Sequence, residues 1–219
     1  MKRLVIIIGL LFITSCASVP PSEYKPEPGA KYVTASWYGE KFHGRPTSSG
    51  ERFNMYDLTC AHKTLGFGTK LRITNPDNNK SVEVTVNDRG PFITGRDLDL
   101  SYGAAKEIGL VEKGVGRVKI EYLGRDMRYA GRIAFVPSGS TGSASLTVQV
   151  GSFTEQSNAR RLKQGLEYKY SDVHIATVFL KGKKYYRVRI GEFSSYDNAS
   201  SVAEKLADEG YSTIIMSKD

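Results

Sequence analysis

The sequence predicts a mainly β unit built as a small barrel, followed by an α+β unit in which one sheet carries two helices. Three observations point there. Roughly residues 31–125 hold short β-rich runs broken by glycine and turn residues, with one helical pattern. Residues 146–219 contain an internal repeat. Between the two lies "PSGSTGSAS", residues 137–145, which reads as a linker spanning 126–145.

In the first unit the β-rich runs fall at 32–38, 70–74 ("KLRIT"), 81–86 and 117–122. "NPDNNK" at 75–80 is turn chemistry, so the strands on either side pair as a hairpin. The helix starts at Ser101, a suitable cap. Ala104, Ala105, Ile108 and Leu110 give it an apolar face, and Gly109 marks its end.

In the second unit, "VQVGSFTEQSNARRLKQGL" (148–166) aligns without gaps on "VRIGEFSSYDNASSVAEKL" (188–206), with six of nineteen positions identical. Each copy reads as strand, turn, helix and second strand, the latter at 173–178 and 211–216, with Ser157 and Asp197 at the N-cap positions. Two copies side by side give an antiparallel sheet with both helices on one face. The other face is then left open for a ligand.

The N-terminus carries a different signal. Lys2 and Arg3 precede an apolar run at 4–13, too short to span a bilayer but of signal-peptide length. "ITSC" then ends at Cys16 and resembles a bacterial lipobox. The expectation is a signal peptide at 1–15 and a lipid anchor at Cys16. A proline-rich tether over 16–30 follows, holding Pro20, Pro21, Pro26 and Pro28. Ala17 after the cysteine favours the inner leaflet of the outer membrane, by resemblance to known sorting signals.

The formal charge of +8 falls to +6 when Lys2 and Arg3 leave. An exported basic chain points to an anionic wall polymer or membrane surface rather than nucleic acid. With Cys16 lipidated, Cys60 has no partner for a disulfide and reads as a small buried hydrophobe. His43, His62 and His174 are widely spaced, with no metal-ligand pattern. No metal or other cofactor is expected, and a monomer is.

"VNDRGPF" at 86–92 ends a β-branched run on a polar cluster before Gly90-Pro91, which places Asn87, Asp88 and Arg89 at a strand end. Asp88 there is either an acid/base group or the cap of the following turn. Trp37 and Tyr38 carry rings that can stack on sugar faces; the plainer alternative has Trp37 in the core and only Tyr38 exposed, since alternation on a strand allows one of each.

Together with "ASWYGEKFHGRPTSSGERF", "LTCAHKTLGFGTKLRITN" and "RDLDLS", this stretch resembles the rare lipoprotein A family over about 35–101. The resemblance implies a six-stranded double-psi β-barrel, a fold shared with expansins. The repeat resembles a SPOR domain, which in that family of modules binds peptidoglycan glycan lacking stem peptides. Several members of the barrel family are lytic transglycosylases, and others have no demonstrated catalysis; for this chain the expected address is the periplasm, with enrichment at the division septum. The resemblance implies Asp88, Glu51 and His62 as the catalytic set. Glu51 is otherwise a surface turn residue and His62 a structural histidine. Trp37, Tyr38, His43, Asn87 and Arg89 are candidates to hold glycan on the barrel. Gln149, Ser152, Tyr186, Arg187 and Arg189 are candidates on the SPOR strands, where arginine suits lactyl carboxylates. Asp97 and Asp99 read as structural, one of them pairing with Arg96. Three activities stay open: a transglycosylase forming 1,6-anhydro ends, an expansin-like protein that grips glycan without cutting it, and a hydrolase using water.

Overall fold

The computed structural model describes residues 31–136 and 145–218. Cys16, the tether and nearly all of the "PSGSTGSAS" linker therefore lie outside the described residues.

Six strands close a barrel in the order β1-β5-β2-β4-β3-β6. They are β1 (Lys31–Tyr38), β2 (Thr59–His62), β3 (Thr69–Thr74), β4 (Ser81–Asp88), β5 (Leu98–Ser101) and β6 (Val115–Arg125). The parallel pairs β1–β5 and β2–β4 sit among antiparallel neighbours. Alternation along β3 and β4 buries Leu71, Ile73, Val82, Val84 and Val86, while Arg72 and Glu83 pair outside. The 75–80 turn joins β3 to β4 as expected. Asn75 also reaches across to donate from Nδ2 to the carbonyl of Ile108 (2.8 Å), tying the hairpin to the end of α1 (Tyr102–Glu107). Ser101 caps α1, its Oγ accepting from the Ala104 amide, and Ala104, Ala105, Ile108 and Leu110 are all buried.

The second unit is a five-stranded sheet in the order β7-β11-β8-β10-β9, with two helices. Its strands are β7 (Ile133–Val136), β8 (Leu146–Phe153), β9 (Val173–Leu180), β10 (Lys183–Phe193) and β11 (Thr213–Ser217). The helices are α2 (Gln156–Leu166) and α3 (Tyr196–Asp208). The repeat is legible in the packing: Val148 and Val188, Ala159 and Ala199, Leu166 and Leu206 are buried as equivalent pairs. Gly151 is needed because a Cβ there would lie 2.7 Å from Leu162 and from the Phe153 ring.

Four details differ from the sequence reading. The segment expected to be linker begins with a short 3-10 turn, Met127–Tyr129, and then forms β7, so only part of it connects. β7 pairs parallel to β11, so the sheet is not wholly antiparallel. The helices start two residues early: Glu155 holds the first cap position, and Ser195 accepts from the Asn198 amide in the second. Ser157 and Asp197 fall inside the helices instead. Finally, the face expected to be open is closed at its centre. Gln149 and Arg189, opposite each other across β8 and β10, are only 8% and 3% exposed.

The two units pack against each other. The amide of Phe67 donates to the Glu209 carbonyl at 3.0 Å, and that of Gly131 to the Ala207 carbonyl at 3.1 Å. Arg125 Nη1 donates to the Asp208 carbonyl.

Candidate active site

A cavity of about 360 Å³ opens where the end of β1, the loop after β4 and helix α2 meet. Trp37, Phe42 and Phe92 give it apolar walls, and Asp88, Asp99, Arg96 and Arg161 give it charge. Aromatic walls with few polar groups are the usual make-up of a sugar or small-ligand site.

Asp88 is the last residue of β4. Its Oδ1 accepts from the amides of Ser48 and Arg89, both at 2.8 Å, so two backbone donors fix the carboxylate. Its Oδ2 lies 3.5 Å from Nη1 of Arg161, a residue of α2. Tyr38 lines the same cavity, stacked on Phe53 at 4.4 Å, and its hydroxyl is buried without a hydrogen-bond partner. Burial, then the charge of Asp88, pushes that phenol well above its ordinary range. Trp37 packs edge-on against Tyr102 and donates from Nε1 to the Val111 carbonyl, leaving part of its ring on the cavity wall. Trp37 and Tyr38 thus both line the cavity.

The three residues implied as catalytic do not line one cavity. Among the described residues no hydrogen bond joins Glu51, His62 and Asp88 to one another. Glu51 lines a neighbouring cleft of about 270 Å³ with Ser49, Arg128 and Tyr129. From there it accepts from Nδ2 of Asn87 at 2.9 Å and so braces the residue before Asp88. His62 lies beyond Ala61, which pairs with Asp88 and lines the cavity. Its Nδ1 accepts from the amides of Thr64 and Leu65 at 3.1 and 3.0 Å, which leaves the ring proton on Nε2. Burial, with the Arg89 charge beside it, lowers this histidine to about 4, so it is neutral at neutral pH.

Arg89 lines the cavity but is turned mostly to protein partners. It is 2% exposed; Nε donates to the Tyr211 hydroxyl at 2.5 Å and Nη1 to the Leu65 carbonyl at 2.9 Å. Its guanidinium also stacks 3.8 Å from the Phe67 ring centre. His43 is exposed away from the cavity, its Nδ1 accepting from the Met55 amide. On the second unit, Ser152 is exposed at the end of β8 and Tyr186 and Arg187 are half-buried on β10, while Gln149 and Arg189 are buried. Cys60 is fully buried and its thiol is pushed up by that burial, as a small core residue would be.

Among the cavity residues left out of the sequence-based candidates are Asp99 and Arg161. Asp99 lines the cavity beside Asp88 and is paired as expected: Nη2 of Arg96 donates to both of its oxygens at 2.9 and 2.8 Å, and Ser36 donates to Oδ1. Arg161 gave no signal at all, being one of several basic residues on a solvent-facing helix of a different unit. Among the described residues no group of three His, Cys, Asp or Glu side chains is placed to hold a metal ion.

Comparison with known proteins agrees with this architecture. A family model described as lytic transglycolase matches residues 30–120, and the SPOR domain model matches 142–217. The chain is 39% identical over 178 residues to the endolytic peptidoglycan transglycosylase RlpA of Vibrio cholerae, covering 81% of this chain and 65% of that protein. It is 39% identical over 171 residues to the protein of the same name from Neisseria meningitidis, covering 76% and 66%. It is 57% identical over 88 residues to the Pseudomonas aeruginosa protein of that name, covering 40% of this chain and 26% of that one. The chain thus spans just under two thirds of its longest-matching relatives. Fold and matches define a double-psi β-barrel protein with a SPOR domain. It belongs to the rare lipoprotein A family.

Proposed function

We propose that the chain is a lytic transglycosylase that cuts peptidoglycan glycan strands lacking stem peptides and leaves 1,6-anhydromuramic acid ends. One observation carries this. Of the two carboxylates in the cavity, Asp99 accepts from Arg96 Nη2 on both oxygens and from Ser36, which leaves Asp88, and Glu51 lines another cleft. A hydrolase needs a second carboxylate positioned to activate water. Transglycosylation needs one group that gives a proton and takes one back. Asp88 in its acid form protonates the leaving glycosidic oxygen as the bond to the anomeric carbon breaks. The muramic acid 6-hydroxyl closes on that carbon, and its proton returns to Asp88. No water enters the balance. Trp37 and Tyr38 position the sugar, Asn87 is held behind Asp88 by Glu51, and the names of the relatives support the activity.

The SPOR domain brings the barrel to peptide-free glycan through the exposed parts of β8 and β10, and a lipid on Cys16 holds the protein at the outer membrane, with enrichment at the septum. Cys16→Ser should then move the protein to a soluble periplasmic fraction or leave it unprocessed; normal cleavage with retained membrane association would refute the anchor. For the activity, peptide-free glycan is digested with the purified protein and the products are weighed by mass spectrometry. Anhydro ends support the proposal. Reducing ends indicate a hydrolase, and intact strands that remain bound indicate the expansin-like reading.

A further inference from the structure

The cavity that holds Asp88 is not a property of the barrel alone. One wall is helix α2 of the SPOR domain, and Arg161 is the residue it contributes. Asn158, one turn earlier on the helix, accepts from Nη2 at 2.7 Å, and the barrel carbonyl of Pro46 lies 3.3 Å from the same nitrogen. The guanidinium is therefore aimed by both units. Its carbon stands 5.6 Å from the Phe42 ring centre.

Four cationic side chains line the cavity: Lys41, Arg89, Arg96 and Arg161. Arg89 is taken up by Tyr211 and backbone carbonyls, and Arg96 by Asp99. Lys41 is out in solvent. Arg161 is different. Its contact with Asp88 is 3.5 Å, longer than the roughly 2.7–2.9 Å of a charge-assisted hydrogen bond. Its Nε is buried without an acceptor, as are Nη2 of Arg89 and Nε of Arg96, so what sets it apart is the long contact with Asp88 and a side chain 22% exposed. It is a cation with donors to spare, held loosely at the proposed reacting group.

A glycan without stem peptides carries a free lactyl carboxylate on each muramic acid. A planar carboxylate is what a guanidinium fork binds best. The lactyl ether leaves the ring two carbons from the anomeric carbon. A muramic acid with its glycosidic oxygen at Asp88 therefore brings that carboxylate to the same corner of the cavity. We propose that Arg161, supplied by the SPOR domain, reads the muramyl carboxylate inside the barrel's cavity, exchanging its loose contact with Asp88 for a bidentate one with substrate. The proposal rests on the transglycosylase reading above. On a strand that keeps its stem peptides the same position is a neutral amide. The cavity then selects peptide-free glycan by itself, apart from any contact made by the SPOR strands.

Trp37 is the chain's one tryptophan and lines this cavity, so its fluorescence reports occupancy there rather than binding elsewhere. The full chain is titrated with peptide-free glycan and with the same glycan after its carboxylates are converted to methylamides. The KM and kcat for anhydro ends are measured alongside. Wild type should prefer the free carboxylate by on the order of tenfold, the worth of a charged hydrogen bond. Arg161→Ala should bind both glycans alike and show the loss mainly in KM, while Arg161→Lys should keep part of the preference. A preference that persists in Arg161→Ala, or a loss that is equal on both glycans, overturns the proposal. If Arg161→Ala melts early, Arg161→Gln and Arg161→Lys carry the comparison. A wild type that makes no anhydro ends refutes the transglycosylase reading. The fluorescence preference for the free carboxylate, lost on substitution, then decides the role of Arg161 independently.

Discussion

Arg89 of the barrel and Tyr211 of the SPOR domain meet in a 2.5 Å hydrogen bond, with the Phe67 ring packed against both. Phe67 and Tyr211 stand edge-on at 4.9 Å, and the guanidinium covers the Phe67 face at 3.8 Å. The motif residue next to Asp88 thus serves as a bolt between two units that the sequence reading treats as separable.

Breaking the bolt should uncouple the units. Tyr211→Phe leaves Arg89 Nε buried without its acceptor, and should cost about 1.5–3 kcal/mol. Arg89→Lys loses the fork and the stacking. The double variant should be less damaged than the sum of the singles, by on the order of 1 kcal/mol. Scanning calorimetry checks this: one transition for wild type, two resolved transitions for the variants. Additive losses with a single transition would show that the contact does not couple the units.

Gly165 offers a sharper test of the same interface. A Cβ there would lie 2.7 Å from Cδ and 2.8 Å from Cγ of Arg89. In an isolated helix Gly→Ala is favourable by about 1 kcal/mol. In this chain Gly165→Ala should instead destabilise, by about 1–3 kcal/mol, because Arg89 is pinned by its hydrogen bonds. In an Arg89→Ala background the same substitution should turn stabilising. Melting curves of the two backgrounds give the sign in each.

Asp88→Asn keeps the side chain's shape but cannot cycle a proton. Anhydro-product formation should fall on the order of 100- to 10,000-fold, with little change in glycan binding. Glu51→Gln can still accept from Asn87 Nδ2, so it should retain far more activity. An active Asp88→Asn protein with a normal melt would move the acid/base role to Glu51.

His62 makes stability depend on pH in a defined window. Its ordinary value is 6.5 and its value in the fold is about 4. Above the upper value neither the folded nor the unfolded chain protonates this ring. As pH falls below 6.5 the unfolded chain takes up a proton that the folded chain refuses until about 4. Stability is therefore lost across that interval and is lowest, as far as this residue goes, below it. The effect is about 2 kcal/mol, reduced from the full shift because the ring is partly exposed. Wild type should lose melting temperature faster than His62→Gln between pH 6.5 and 4, with the two curves parallel above pH 7. Parallel curves throughout would refute the burial of a neutral ring.

What was readable in the sequence is what local chemistry states. The Ser101 cap, the 75–80 turn and the repeat all follow from residue types acting on their neighbours. β2 and β5 were not read as strands because they are four residues long and buried along most or all of their length, so they show no alternation. β7 was hidden for another reason. Ile133–Val136 is exposed along its length, and only its parallel pairing with β11 makes it a strand. At the site, Asp88 was legible because a carboxylate before Gly-Pro is conspicuous. Arg161 was not, because nothing in a helix sequence tells which distant unit its outer face will meet.

The pairing of β7 with β11 bears on where this chain can be divided. The repeat begins at β8, so a fragment started there would seem complete. Such a fragment would lack β7 and expose the backbone amides and carbonyls of Thr213–Ser217 as a bare edge beside Ile214 and Met216. An uncovered edge of that kind pairs with whatever strand it meets, including its own copies. Ile133–Val136, a few residues past the barrel's last strand, thus act as a sheath on the neighbouring sheet. A fragment that keeps them should stay monodisperse at concentrations where the shorter one self-associates.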